Sequence, residues 1–290
     1  MPTSSFPWRP LLLALLPFVL QWSFDQPDGS PHLDRFSLVP LFYAAVAAVT
    51  FHRAGLWLFQ QDGEEHGPAL AARMVTGIVT GVPLIFIIQW SALSAPEAGI
   101  VGLGAGNPVV SSILRVVGWG YRLIDNPLVG FVPALMGYVV SVGMAEESAK
   151  AAIALREFSG SLRDRVACGF AAGIGFGVGE GILYSYRDYN GQEGWQMYAV
   201  RFVFCVGLHG CMSATAALLL ADTPPELRWS RRVFFQMLLI LPIAFLHGLY
   251  DVLLDRGEAR HSVLVAFLIC ATPAIGLWFY DRRAEEGIVD

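Results

Sequence analysis

Eight apolar runs follow one another along the chain, each of about the 20 residues that cross roughly 30 Å of hydrocarbon. They are centred on residues 11–24, 38–58, 75–93, 131–155, 166–184, 198–221, 233–253 and 262–279. Hydrophobic residues make up 55% of the 290 residues and charged residues only 15%, far from a soluble globular average. Backbone in lipid must satisfy its own hydrogen bonds, and long continuous apolar runs suit helices rather than the alternating strands of a barrel. The sequence therefore predicts an all-α fold: a polytopic transmembrane helix bundle of about eight membrane-spanning helices, forming a single integral membrane domain over residues 1–290.

The distribution of arginine predicts the orientation, because loops rich in Arg and Lys tend to stay in the cytoplasm. With the N-terminus inside, the cytoplasmic segments hold Arg9, Arg53, Arg73, Arg156, Arg163, Arg165, Arg228, Arg231, Arg232, Arg282 and Arg283, and the outer segments hold Arg35, Arg115, Arg122, Arg187, Arg201, Arg256 and Arg260. The run 11–24 is followed by no small-x-small cleavage site, so we interpret it as a retained helix rather than a signal peptide. We expect a multi-pass protein of the cell (inner) membrane.

The segment GMAEESAKAAIAL, residues 143–155, places three ionisable groups inside an apolar run. Glu146 and Glu147 precede the predicted cytoplasmic boundary at Arg156 by about ten residues, which at 1.5 Å per residue puts them roughly 15 Å into the bilayer. Lys150, the only lysine of the chain, lies one helical turn further on and within reach of either glutamate. Charged groups at this depth face a partner or water. The segment is either an ion pair that packs helices together or part of a functional site.

Three further apolar runs carry polar side chains at a similar depth. These side chains are Glu180 and Tyr184 in the fifth run, which share one face with Phe176; His209 and Ser213 in the sixth; and His247 and Asp251 in the seventh. A lone buried histidine is usually a satisfied core residue. Two histidines and several carboxylates at one level on four successive helices favour a shared site.

Glycines recur at every fourth position of the fifth run. Gly169, Gly173, Gly177 and Gly181 form a stripe of small residues, which lets neighbouring helix backbones approach closely. We expect this stripe to bring Glu180 towards the fourth and sixth helices without taking part in chemistry.

The longest connection contains an amphipathic segment. Residues 108–124, PVVSSILRVVGWGYRLI, place apolar side chains at helical spacing with Arg115 and Arg122 between them. This pattern is typical of a helix that lies at the membrane surface.

Two histidines with carboxylates in a water-accessible pocket suit hydrolysis by either of two routes. The set is a common donor group for zinc, which activates a bound water whose proton an unligated glutamate accepts. Without a metal, a buried glutamate activates water and the histidines stabilise the oxyanion. Both routes lead to hydrolysis of an amide.

The polar residues form four motifs in order, one on each of four successive helices. They are EExxK (Glu146, Glu147, Lys150), FxxxE (Phe176, Glu180), HxxxS (His209, Ser213) and HxxxD (His247, Asp251). This order resembles the PrsW family of intramembrane proteases, which is related to the CAAX prenyl endopeptidases and bacteriocin-processing membrane enzymes. The resemblance covers about residues 127–255 and implies a catalytic four-helix core there, in a membrane-embedded peptidase usually classed as a metalloprotease.

The resemblance also implies roles for these residues. Glu146 or Glu147 would activate water, in a catalytic set with Lys150 and Glu180; Glu180, His209 and His247 would bind zinc or stabilise the oxyanion. Four further residues would support and orient these side chains without meeting the substrate: Ser213, Asp251, Phe176 and Tyr184. The second motif in the family often continues as ENxxY, whereas here Gly181 follows Glu180 and Tyr184 is kept.

The family implies a substrate that is a membrane protein, such as a membrane-spanning anti-sigma factor, or a lipidated peptide. The alternative from another class is a proton- or cation-coupled transporter, because midplane carboxylates and histidines also build relays. A third is a non-catalytic membrane scaffold that keeps the fold. The net charge of -5 is thinly spread, so we expect the lipid bilayer and no nucleic acid as partners; the oligomeric state stays open.

Overall fold

A computed structural model describes residues 38–60, 63, 65–94, 107–154, 161–187, 194–221, 223 and 228–285. All regular secondary structure in these residues is helical, which confirms the predicted all-α class. The described part contains eight helices: α1 (Val39–Leu58), α2 (67–94), α3 (Pro108–Ile124), α4 (131–154), α5 (Leu162–Arg187), α6 (195–220), α7 (Trp229–Asp255) and α8 (Ala259–Glu285). Three of them contain a π-helical segment: Gly77–Gly81 in α2, Val139–Gly143 in α4 and Val200–Cys205 in α6.

Six of the described helices, namely α1, α2, α5, α6, α7 and α8, are long and apolar enough to cross a membrane. Helix α4 packs among them against α5 and α7, and its three ionisable residues lower its hydropathy. We count it as a seventh span. The predicted run 11–24 lies outside the described residues, so the count of about eight is approximate.

Helix α5 forms the centre of the bundle and packs against α1, α2, α4 and α6. The predicted glycine stripe faces α6: a Cβ at Gly173 would collide with the backbone carbonyl oxygen of His209. A second set of small residues on α5, at Gly175 and Gly179, faces Met74 and Ile78 of α2. Two glycine faces therefore let α5 lie in close contact with both neighbours.

Helix α3 is amphipathic as predicted. Asn107 caps its N-terminus, because the Asn107 side chain accepts hydrogen bonds from the backbone N–H groups of Val109 and Val110. Its buried face packs on α2 and α4. The Ser141 hydroxyl of α4 donates to the Val117 carbonyl over 2.7 Å. This packing holds Tyr121, near the end of α3, against the bundle.

Contacts between helix ends define two ends of the bundle. At the inner end, where α4 ends and α5 begins, Arg73 donates to the Ile153 carbonyl and Arg165 donates to the Ala221 carbonyl. At the outer end, where α7 ends and α4 begins, Arg256 donates to the Val129 carbonyl over 2.9 Å. The inner end is the one that the arginine distribution assigns to the cytoplasm.

Candidate active site

Lys150 lies at the centre of a buried polar cluster formed by α4, α5, α6 and α7. Its Nζ is 2.7 Å from Glu147 Oε1 and 2.8 Å from His209 Nδ1. The same nitrogen is 3.5 Å from Glu146 Oε2 and 4.7 Å from the ring centroid of Phe176. The predicted contact with both glutamates is present, and the ammonium also reaches a histidine on a different helix.

Glu147 is fully buried and connects Lys150 to α7. Its Oε1 is 2.9 Å from His247 Nδ1 in addition to the contact with Lys150. Because a carboxylate oxygen accepts, the Nδ1 of His247 donates to Glu147, and the Nε2 is left to face Glu146 and Asp251. Glu147 therefore fixes the orientation of the His247 ring.

Glu180 performs the matching role for His209. Its Oε2 is 2.9 Å from His209 Nε2, and the two rings of His209 and His247 are 5.5 Å apart between centroids. The predicted meeting of the histidines and carboxylates from separate helices is thus confirmed by these distances. The Phe176 ring lies 5.4 Å from the His209 ring, one helical turn before Glu180.

Arg201 also belongs to this site, although the sequence analysis placed it only among the outer arginines. Its guanidinium lies 4.2 Å from the ring centroid of Tyr184, and its nitrogen is 3.9 Å from Glu180 Oε2. The sequence could have indicated this position, because Arg201 is the only Asp, Glu, Lys or Arg residue within the apolar run 198–221. A lone charge in a membrane span marks a polar environment.

A cavity of about 700 Å³ opens beside this cluster. Glu146, Glu180, His209 and His247 form part of its wall, whereas Glu147 and Lys150 do not. Asp125, Met197 and Asp255, which lie at the outer ends of their helices, also line it. The cavity is therefore reached from the outer end of the bundle.

Glu146 is buried, yet its Oε2 accepts no hydrogen bond within the described residues. One ligand atom each from Glu146, His209 and His247 lies within 4.8 Å of the others. Two imidazoles and a carboxylate with an unsatisfied oxygen suit a zinc ion. The residues present thus fit a metal, with Glu146 in the group of three and Glu180 in contact with His209.

Comparison with protein families matches residues 65–277, most of the chain, to the PrsW family intramembrane metalloproteases. The chain belongs to the PrsW family. No match was found among curated proteins or among solved structures. PrsW membership makes the chain a membrane peptidase of a family classed as metalloproteases, and it argues against the transporter alternative.

The other polar residues of the four PrsW motifs lie around this cluster. Asp251 Oδ2 is 3.5 Å from His247 Nε2, one turn away on α7. Ser213 is buried on α6, where its hydroxyl makes no hydrogen bond with a described residue and faces Gly173 of α5. Asp251 therefore lies beside the His247 imidazole at the cavity wall, whereas Ser213 belongs to the contact between α5 and α6.

The departure from the PrsW pattern at Gly181 has a packing reason. A Cβ at this position would lie 2.8 Å from the Phe202 ring of α6. A larger side chain such as Asn would push α5 and α6 apart. Glu180 therefore finds its partners in His209 and Arg201 instead of in a neighbouring amide.

Proposed function

We propose that this PrsW protein hydrolyses a peptide bond of a membrane-anchored protein in the cavity at the outer end of the bundle, with Glu146 activating the water. The observation that carries the proposal is the buried Glu146 carboxylate, which lines the cavity near two histidines and whose Oε2 accepts no hydrogen bond within the described residues. Glu147, the other possible base, binds Lys150 and His247 through Oε1, and although its Oε2 is also unbonded within the described residues, Glu147 does not line the cavity. A base must reach the proton that it abstracts, which favours Glu146.

The remaining residues position the groups that meet the substrate. Glu147 holds His247 so that Nε2 faces the cavity, and Lys150 donates to Nδ1 of His209 so that its Nε2 carries the proton and donates to Glu180. After Glu146 accepts a proton from water, the same carboxyl donates it to the leaving amine. The protonated form of His247 carries a second N–H at Nε2, which donates to the negatively charged carbonyl oxygen, whereas both ring nitrogens of His209 are already bonded to Lys150 and Glu180.

A bound zinc would change two of these roles: Glu146 would be a ligand instead of the base, and His209 would give up its contact with Lys150 or with Glu180 to free a ring nitrogen. Glu146, His209 and His247 would hold the ion, which would supply a Lewis acid for the peptide carbonyl and activate water. Glu180, a carboxylate of the cavity wall next to His209, would then accept the proton of the water. The sequence-based assignment of Glu180 as a metal ligand is the alternative arrangement of the same four side chains.

The proposed substrate is a membrane protein with a segment at the outer surface, such as a membrane-spanning anti-sigma factor, or a lipidated peptide. The outer position of the cavity and the arginine-rich inner end support this choice, with the protein in the cell (inner) membrane. The lipid bilayer is the environment that the exposed apolar side chains of α7 and α8 require.

Activity measured in liposomes tests the base. The assay uses single-span reporters whose outer juxtamembrane segment carries a randomised sequence. Glu146→Gln should lower the rate of cleavage by about a hundredfold or more, because general base catalysis contributes on that order. Glu258→Gln, an exposed change at the outer end, is the matched control and should leave the rate unchanged. Full cleavage by Glu146→Gln would exclude this residue as the base.

Metal analysis of the purified protein tests whether the site holds zinc. One equivalent of zinc in the wild type, lost in His209→Ala and in His247→Ala, is the result expected for a metal held by both imidazoles. Metal-free protein that cleaves at the full rate would assign the reaction to Glu146 and water alone.

A further inference from the structure

The outer halves of α6 and α7 lean away from each other. The outer half of α6, including Val200–Cys205, packs against α1 and α5, while the outer half of α7 packs against α4 and α8. Their inner halves are in contact, through Val206–Leu220 of α6. A cleft therefore opens between the two helices towards the outer end, along the wall of the cavity that holds Glu146.

Side chains on both edges of this cleft face the cavity and the outside at once. Val200 of α6 is 48% exposed and Leu254 of α7 is 49% exposed, and both line the cavity. Both belong to helices that are apolar enough to span a membrane. The cavity therefore opens sideways, in the direction where lipid chains surround the bundle.

Two polar side chains face each other across the cleft. Tyr250 of α7 and Cys205 of α6 lie close together, and both line the cavity. Below them, Leu208 of α6 and Val265 of α8 belong to one buried cluster, which closes the base of the cleft. The opening is thus limited to the segment between Cys205 and the outer end.

We propose that the cleft between α6 and α7 is the lateral route by which an extended juxtamembrane segment of a membrane-anchored substrate reaches the cavity. This inference rests on the proposed proteolytic function. A cavity of about 700 Å³ holds a few residues of extended chain, whereas a helix with side chains has a diameter of about 10–12 Å. The substrate segment therefore leaves its helical conformation before it enters.

An extended segment matches the chemistry of the cavity better than a lipid does. Its exposed backbone groups need hydrogen-bond partners inside the membrane, which lipid chains do not supply. Gln89 and Tyr184 line the cavity and carry polar groups next to the reacting groups. Hydrogen bonds to these groups therefore offset the helical hydrogen bonds that the segment loses when it unwinds.

A reversible crosslink across the cleft tests the proposal. Tyr250→Cys is placed in a protein that retains Cys205 but carries Cys168→Ala, Cys211→Ala and Cys270→Ala, and is treated with a short bis-methanethiosulfonate. A spacer is needed because tyrosine bridges a gap that a direct disulfide would not span. The same protein with Cys205→Ala has one thiol and is the matched control. Both proteins are assayed with a cleaved single-span reporter and with a soluble peptide of the same segment.

The crosslink should lower cleavage of the single-span reporter by about tenfold or more and leave cleavage of the soluble peptide within about twofold. A reductant should restore cleavage of the reporter. Neither the crosslinker nor the reductant should change cleavage by the control protein. Unchanged reporter cleavage, or equal loss for both substrates, would overturn the lateral route. If the wild-type protein cleaves neither substrate, the proposed proteolytic function fails instead.

A second pair of variants needs no crosslink. Val200→Trp fills the edge of the cleft, whereas Val203→Trp places the same side chain on the same helix outside the cavity wall, where Val203 is 55% exposed. Val200→Trp should raise KM for the single-span reporter by about tenfold with little change for the soluble peptide. Equal effects of the two tryptophans would overturn the proposal.

Discussion

Lys150 contacts three ionisable side chains in a space without exposure to solvent. A buried ammonium is tolerated only when interactions with its partners offset the loss of hydration. Here Glu147, at 2.7 Å from Nζ, is the closest of these partners. The same Glu147 oxygen also accepts from His247. Lys150 and Glu147 therefore stabilise the geometry of the site, whereas Glu146 faces the cavity.

Removing the ammonium alone should be strongly destabilising. Lys150→Met leaves the Glu147 carboxylate buried without its cation, and the free energy of unfolding should fall by about 3–5 kcal/mol. Adding Glu147→Gln should recover part of this loss because the uncompensated charge is gone. Denaturant titration in detergent, monitored by circular dichroism, gives the free energy of unfolding of the wild type, of Lys150→Met and of the double variant. Glu258→Gln is the control. A loss for Lys150→Met no larger than that of the control would contradict this role.

The sequence predicted the cluster but left the two glutamates equivalent. Adjacent residues on a helix point about 100° apart, so the rotation of α4 about its axis decides which one lines the cavity. That rotation depends on close contacts such as Gly143 against Ala244 of α7, which no periodicity of α4 reveals. The missed role of Arg201 has the same origin, since its neighbour Tyr184 lies on another helix.

Helix α5 illustrates how an element fixes the site without supplying most of its chemistry. The stripe of glycines predicted from the sequence lies against α6, and it brings Glu180 within 2.9 Å of His209. The second glycine face, at Gly175 and Gly179, was not predicted. Its partner α2 begins at Gly67, before the predicted run 75–93, and this additional part of α2 includes Arg73, which donates to the Ile153 carbonyl at the end of α4.

One methyl group on the predicted stripe should disturb the site. Gly173→Ala places a Cβ against the His209 carbonyl oxygen and the Ser213 hydroxyl, so α6 must shift away from α5. We expect a loss of about 1–3 kcal/mol in stability and a lower kcat, since the contact between His209 and Glu180 lengthens. Gly130→Ala, at a position with no neighbouring atom within 4 Å, is the control. The two measurements are thermal unfolding and reporter cleavage. If Gly173→Ala changed both as little as the control does, the contact between α5 and α6 would tolerate the added methyl group, against this prediction.

At the scale of the whole molecule, the two ends of the bundle differ in charge and in access to the site. The inner end carries the arginines whose contacts join α2 to α4 and α5 to α6. The cavity opens at the other end. The orientation of the bundle in the membrane therefore decides which compartment delivers the substrate and receives the product.

Thiol labelling in intact cells tests this orientation. In a protein whose four native cysteines are replaced by alanine, Leu128→Cys lies in the outer connection before α4, where Leu128 is 92% exposed. Gly63→Cys lies in the connection between α1 and α2 at the inner end, where Gly63 is also exposed. Since segments rich in arginine stay in the cytoplasm, a membrane-impermeant maleimide should label Leu128→Cys in intact cells and Gly63→Cys only after lysis. The reverse pattern would place the mouth of the cavity in the cytoplasm, and the proposed substrate segment would then have to lie on the cytoplasmic side of its own membrane anchor.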